Sequence, residues 1–282
     1  MFANVKRDFA TTVRVQWDHI KSVGEIRRHF QNPWMIVLFR LGLISSPYFL
    51  HRIRKENRSY AMLARPTTTS SADLFVLREV LVQEAYKEAL ALLPSKNIRM
   101  VDIGANLGSF TIWTHRVLGV REAFCFEPEP DSFRLLNFNL SLNDCSGAKP
   151  FPCAVGGAAR TIKIALKKSS PGGTSIYDPA ASSEGVDVPV IAFEQWLCDT
   201  PGSFDLLKVD CEGSEWEIIR QTNPKHFARF RVLVAEVHED PEKKQSVSEF
   251  KQSMENLGFR TVRWDDKSQG LYVGVRNDGA AA

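Results

Sequence analysis

The segment Arg99–Gly108, reading RMVDIGANLG, constrains the fold of this chain more than any other. A short apolar run ends in Asp102, two glycines follow at 104 and 108, and a helical pattern starts at once. Such a pattern predicts a strand that turns sharply into a helix, with a small-molecule cradle at the turn. Downstream, FEPEP at Phe126–Pro130 ends a second apolar run in Glu127 and Pro128.

Around this segment the chain alternates. Strands are expected at Arg99–Ile103, Glu122–Phe126, Pro150–Val155, Phe204–Asp210 and Arg231–Val237. Helices are expected at Gly108–Leu118, Asp131–Asn143, Phe193–Cys198, Glu212–Gln221 and Lys243–Leu257, and Phe259–Trp264 with Leu271–Val275 reads as a closing hairpin. This rhythm predicts an α/β fold, a parallel sheet with helices on both faces and an antiparallel hairpin at one edge. Strands at Thr161–Leu166 and Val186–Ile191 flank a Ser-, Gly- and Pro-rich loop over 167–184, where Gly172–Tyr177 is a candidate substrate cover. Leu74, Leu77, Leu81, Ala85 and Ala89 predict one long helix over Ala72–Leu93, with Ser70 and Asp73 as its capping box. Residues 1–68 read as a mostly helical extension, separated from the rest by Arg65-Pro66 and the run Thr67–Ser71. The chain contains no internal repeats.

Charge is unevenly spread. Residues 1–60 carry eleven Lys/Arg against four Asp/Glu, a balance of +7, so the overall +3 leaves −4 for the remainder. A basic arm on a mildly acidic body suits a weak contact with an anionic membrane surface or a homo-oligomer contact, with a solvated basic helix as the simpler reading. Trp34–Leu50 is the most apolar stretch, but Arg40, Gly42, Ser45, Ser46 and Pro47 interrupt it, and a spanning helix needs about 20 mostly apolar residues. Cys125, Cys145, Cys153, Cys198 and Cys211 show no C-x-x-C spacing and read as small core residues of a reducing compartment. With no apolar signal region at the N-terminus, the expected location is cytoplasmic.

The chemistry is concentrated in four blocks. Asp102 can hold an ammonium, Gly104 and Gly108 let the backbone turn close to a ligand, and the helix start offers free N–H groups to an anion. Glu127, ending the second strand, can accept hydrogen bonds from both hydroxyls of a ribose. Together these match an amino-acid nucleoside such as S-adenosylmethionine. A dinucleotide is the alternative, although its G-x-G-x-x-G turn would place glycine at 106 and 109, where this chain has Asn106 and Ser109. In LKVDCEGSEWEII (Leu207–Ile219), Lys208 and Asp210 point to one side of a strand and Glu212 and Glu215 follow around the turn. Burying Lys208 and Asp210 at the end of a central strand is costly without function or pairing, and a structural Lys208–Asp210 or Lys208–Glu212 ion pair is the plainer reading. Glu236 and His238 end the next strand and face the same crevice if the two strands are neighbours. These groups are potential hard metal ligands, but their spacing is not that of a metal site, and no metal is assigned.

Taken together, DIGANLGSFT (102–111), FEPEP (126–130), LKVDCEGSE (207–215) and AEVH (235–238) resemble the FkbM family of S-adenosylmethionine-dependent methyltransferases over about residues 70–240. The resemblance implies a class I methyltransferase (Rossmann-like) domain over 69–282, with seven strands and the hairpin at the edge. It implies O-methylation of a small-molecule or glycan hydroxyl on a sugar or natural product, and no nucleic-acid partner. The implied cofactor contacts are Asp102, Gly104, Ala105, Asn106, Gly108, Glu127 and Pro128; PCAVGG (152–157) supplies no side chain for an adenine edge. Catalytic residues are assigned by placement: Asp210 or His238 as proton acceptor, Glu212 and Glu236 as orienting partners, and Lys208 holding the carboxylates. A nicotinamide-dependent oxidoreductase and a non-catalytic nucleoside-binding scaffold remain open alternatives.

Overall fold

The computed structural model describes residues 23–66, 72–94, 96–165, 185–240, 246–265 and 270–277. The candidate cover at 172–177, the boundary run 67–71 and Ser70 of the expected capping box lie outside these residues.

Helices α1 (residues 23–29) and α2 (Pro33–Arg40) lead into an antiparallel hairpin, β1 (Phe49–Lys55) and β2 (Arg58–Ala64). Over the described residues 23–66 the extension is therefore part helix and part β-hairpin, where a mostly helical segment was expected. FLHRIRK and RSYAMLA alternate with period two, burying Phe49, His51 and Ile53 from one strand and Tyr60, Met62 and Ala64 from the other. The long helix expected after residue 72 is broken into α3 (Asp73–Leu77), a π-helical turn (Arg78–Val82) and α4 (Lys87–Leu90). Leu74, Leu77, Leu81 and Ala89 stay buried across the break, which is why periodicity alone reads through it. Ala72, not a capping side chain, precedes α3, and Asp73 instead binds Arg65 through both carboxylate oxygens.

The next elements are β3 (Ile98–Ile103), α5 (Ser109–Leu118), β4 (Val120–Phe126), α6 (Pro130–Leu142) and β5 (Ala148–Phe151). The strand expected over 150–155 is two strands. Pro152 has no N–H for a ladder, and the chain leaves β5 there for β6 (Ala154–Gly156), which joins β7 (Arg160–Ala165) and β8 (Gly185–Ala192) in a separate three-stranded sheet. Then come α7 (Phe193–Asp199), β9 (Phe204–Val209), α8 (Glu215–Gln221), α9 (Pro224–Phe227), β10 (Phe230–Val237), α10 (Val247–Asn256), β11 (Phe259–Trp264) and β12 (Gly270–Arg276). The main sheet has the order β11-β12-β10-β9-β3-β4-β5, parallel except for the edge hairpin β11–β12.

Each face of this sheet carries its own core. Trp113, Ile112, Leu135 and the hairpin residues Ile53 and Met62 fill one side; Trp216, Phe193, Phe230 and Phe250 fill the other. Burying a side chain of this size contributes roughly 1.5–3 kcal/mol. The N-terminal hairpin is tied to α6 by two asparagines one turn apart, Asn139 within the helix and Asn143 at its C-terminal cap. Asn139 accepts from the Leu63 N–H (2.7 Å) and donates to the Leu63 and Leu107 carbonyls (3.0 Å each). Asn143 accepts from the Ala61 N–H (3.1 Å) and donates to its carbonyl (2.8 Å). These amides stand in for the ladder partner that β2 lacks on this edge. Cys125, Cys145 and Cys153 are buried as expected, whereas Cys198 is exposed. No helix among the described residues is long and apolar enough to cross a membrane.

Candidate active site

Strand parity collects the chemistry on one face. Along β3, β9 and β10, Met100, Leu206, Val232 and Val234 pack in one core, and Val101, Ile103, Leu207, Val209, Leu233 and Ala235 in the other. Asp102, Lys208 and Glu236 share the parity of the first set, and the ladder aligns Asp102 with Lys208 and Lys208 with Val234. From β3 the chain runs outward to β4 and β5, then returns to β9 and β10 on the other side. The strand order thus reverses between β3 and β9, where open α/β sheets leave a ligand crevice beyond the carboxyl ends.

Lys208 is the hub. Its Nζ donates to the Gly104 carbonyl (2.7 Å) and lies 3.2 Å from Asp210 Oδ2 and 3.5 Å from Asp102 Oδ1. Burial opposes its charge, but Asp210 and Asp102 outweigh burial and raise its pKa. Asp102 has no accessible surface and receives the Thr111 hydroxyl on Oδ2 (2.7 Å). Its pKa is raised by burial, against the pull of Lys208 and Thr111. Asp102 therefore faces Lys208 inside the protein, where the lysine ammonium compensates its charge. Gly104 adopts φ 76°, and a Cβ there would stand 1.7 Å from the Asp210 carbonyl oxygen. Only glycine lets the two loops approach this closely.

The Gly104 and Ala105 N–H groups donate to the Phe126 carbonyl (3.0 and 2.9 Å), bringing the turn against the end of β4. There the Glu127 carboxylate accepts from the Asn106 N–H (2.8 Å) and the Glu129 N–H (2.8 Å). Burial pushes its pKa up to about 7 against these two bonds. Pro128 joins Glu127 to Glu129, whose side chain caps α6 through the Asp131 and Ser132 N–H groups. Gly108, at φ 82°, precedes the first residue of α5. In and beside this turn, Asp102 Oδ1 and Asn106 Oδ1 are buried without a hydrogen-bond partner.

The loop after β9 is built by a residue that follows the expected catalytic set. Glu215, fully buried at the start of α8, accepts from the Cys211 and Gly213 N–H groups (2.8 Å each) and from His238 Nδ1 (3.1 Å). It holds Glu212 and Gly213 at positive φ, 55° and 108°, so the helix begins at Glu215 and not at Glu212. His238 Nε2 lies 3.6 Å from Glu212, and its carbonyl accepts from Trp216 Nε1 (2.8 Å). Burial works against charge on His238, but Glu215, Glu212 and Asp210 prevail and lift it to about 9. Burial, with Asp210 and Glu79 as like charges, pushes Glu236 to about 8. Burial and Asp210 also raise Glu79, from the π-helical turn.

The structure thus brings Asp102, Lys208, Asp210, Glu236 and His238 to adjoining strand ends, with Glu212 on the loop beside His238 and Glu127 one strand away. Sequence reasoning left Glu215, Thr111 and Glu79 without roles. An acid two residues beyond the Glu212-Gly213 turn was the available signal for Glu215, because a carboxylate opening a helix can satisfy the loop N–H groups before it. Among the described residues, no group of three or more His, Cys, Asp or Glu is arranged to hold a metal ion.

Comparison with known proteins places the chain in a family. The family described as Methyltransferase FkbM domain matches residues 102–261. Methyltransferase sdnD of Sordaria araneosa is 29% identical over 196 residues, covering 58% of this chain and 74% of that protein. Methyltransferase 1 of Beauveria bassiana (strain ARSEF 2860) is 24% identical over 220 residues, covering 71% and 86%. The crystal structure of methyltransferase FkbM from Methylobacillus flagellatus KT aligns at 16% identity and TM-score 0.44, covering 71% of this chain and 53% of that one. With the matched segment running from Asp102 at the end of β3 into β11, and so enclosing every strand end described above, the chain belongs to the FkbM family of methyltransferases and has the class I methyltransferase fold.

Proposed function

We propose that this protein is an S-adenosylmethionine-dependent O-methyltransferase acting on a hydroxyl of a small natural product or sugar. The observation that carries the reading is the placement of Glu127, a buried carboxylate at the end of β4, against the Gly104–Gly108 turn through the Asn106 N–H. A nucleoside ribose fits Glu127, and an amino-acid ammonium fits the buried, unpartnered Asn106 Oδ1. The first-turn N–H groups of α5 suit the carboxylate carried on the same α-carbon as that ammonium. S-adenosylmethionine, when bound, supplies an electrophilic methyl group. The two fungal relatives are methyltransferases by name, which is compatible with a natural-product acceptor.

The chain's own residues then orient the acceptor and take its proton. Asp210, part-exposed at the crevice and tethered to Lys208, is assigned as the proton acceptor. His238 is charged at neutral pH and orders the Glu212 loop, so it is assigned as a positioning residue. Glu236, held up to about 8, is largely protonated at neutral pH and can donate a hydrogen bond to the acceptor oxygen. Titration calorimetry with S-adenosylmethionine, S-adenosylhomocysteine and NAD tests the cofactor: the methyl donor and its product bind, Glu127→Ala weakens both, and preferential binding of NAD would sink the reading. In single-turnover methyl transfer to a hydroxylated acceptor, Asp210→Asn slows the step by about 10²–10⁴-fold. An unchanged rate would remove Asp210 from its role.

A further inference from the structure

We infer that helix α2, with the arginines that flank it, is a docking surface for an anionic lipid bilayer. Seven of its eight residues, PWMIVLFR, are apolar. A helix apolar around its whole circumference belongs in a protein core or in lipid. Here no described side chain of α2 is buried. Trp34 and Val37 are 59% and 54% exposed, and Leu41 and Leu43 in the turn that follows are 66% and 67% exposed. One side of the helix is anchored, with Phe39 edge-on to Phe49 (5.4 Å) and Asn32 Nδ2 donating to the Leu50 carbonyl (2.9 Å). Trp34, Val37 and Leu41, at three- and four-residue steps, form the outward stripe.

The charges around the stripe select the partner. Residues 23–55 hold six Lys/Arg against one acid, Glu25, and Glu25 is engaged by Arg78 (2.6 Å). Arg27, Arg28, Arg52 and Arg54 are exposed. The chain at 29–31 runs beside β1, where the Gln31 N–H donates to the Arg52 carbonyl and His29 Nδ1 bonds the Arg54 carbonyl, so the basic positions flank the start of α2. An apolar stripe led by tryptophan and bordered by arginine suits the headgroup boundary, where the ring sits at the interface and the cations meet lipid phosphate and carboxylate. A second copy of this chain would bring the same positive charge against itself, which disfavours self-association through this face. At eight residues the helix is far short of a membrane span, so it lies in the interface. The inference is independent of the catalytic assignment.

The test is flotation of the full-length protein with phosphatidylcholine vesicles, with and without phosphatidylserine. The protein floats with the phosphatidylserine vesicles, and added salt releases it. Trp34→Ser/Val37→Ser and Arg52→Glu/Arg54→Glu each weaken binding roughly tenfold or more, with thermal midpoints near that of the parent showing that the fold is kept. The lipid and salt dependence of the unsubstituted protein is read without any variant. No flotation, equal flotation with neutral vesicles, variants that bind like the parent, or a concentration-dependent dimer abolished by Trp34→Ser/Val37→Ser would each overturn the inference.

Discussion

Replacing Lys208 by methionine separates the structural from the chemical role of the hub. The substitution keeps an unbranched apolar stem but removes the ammonium that stands 3.5 Å from Asp102 and 3.2 Å from Asp210. Asp210 is 27% exposed and can turn to water, whereas Asp102 has no accessible surface and would keep only the Thr111 hydroxyl. Stranding a buried carboxylate in this way costs about 3–5 kcal/mol. In a chain of this size that lowers the thermal midpoint by roughly 10 °C. Removing both charges, as Asp102→Asn with Lys208→Met, leaves no fully buried carboxylate stranded and is expected to cost much less than Lys208→Met alone. Urea unfolding of the parent, both single variants and the double variant closes a thermodynamic cycle, and the interaction free energy should be a large share of the Lys208→Met loss. Because protonation relieves a stranded Asp102, the deficit of Lys208→Met also shrinks on acidification. A Lys208→Met cost below about 1 kcal/mol, or a double variant whose loss equals the sum of the singles, would refute the claim that the pair is held by mutual compensation.

Four further outcomes follow from the same geometry. Gly104→Ala forces a Cβ onto the Asp210 carbonyl and a side chain into φ 76°, so it should lower the unfolding midpoint and abolish calorimetric binding of the methyl donor; binding at parental affinity would show that the loops need not meet this closely. His238 is raised from 6.5 to about 9, so the stability it contributes is complete below about pH 6.5 and is lost as pH rises through about 9. Glu236, raised to about 8, acts in the same direction, because its ionisation above the ordinary carboxylate range burdens the folded state. Glu215→Gln should bring the His238 imidazole titration, followed by NMR, down towards its ordinary value, and an unmoved titration would take Glu215 out of that role. Asn139→Ala strands the Leu63 N–H and two carbonyls and should cost roughly 1–3 kcal/mol in urea unfolding, with a loss near zero arguing that water replaces the amide.

The sequence by itself determined the frame of the site. Hydrophobic period marked β3, β4, β9 and β10, and strand alternation put Lys208 and Asp210 on one side of β9. Glycine at 104 marked a backbone conformation and a close approach that other residues resist. Only the tertiary structure decided what those groups touch. Whether Lys208 pairs with Asp102, Asp210 or Glu212 depends on which strands are neighbours, and the ladder between β3 and β9 joins residues 106 positions apart, a contact no local pattern encodes. The same holds for Glu215, whose partner His238 is 23 residues away, and for the break at the π-helical turn, where buried leucines keep their spacing while the backbone hydrogen-bond step changes. The hairpin at 49–64 was written in alternating residues but overshadowed by the apolar run before it, and the α6 asparagines that secure it read as ordinary surface positions until β2 is laid beside them. Local periodicity reports which way a side chain faces; the partner that sets its charge, its pKa and its role comes from chain packing over long separations.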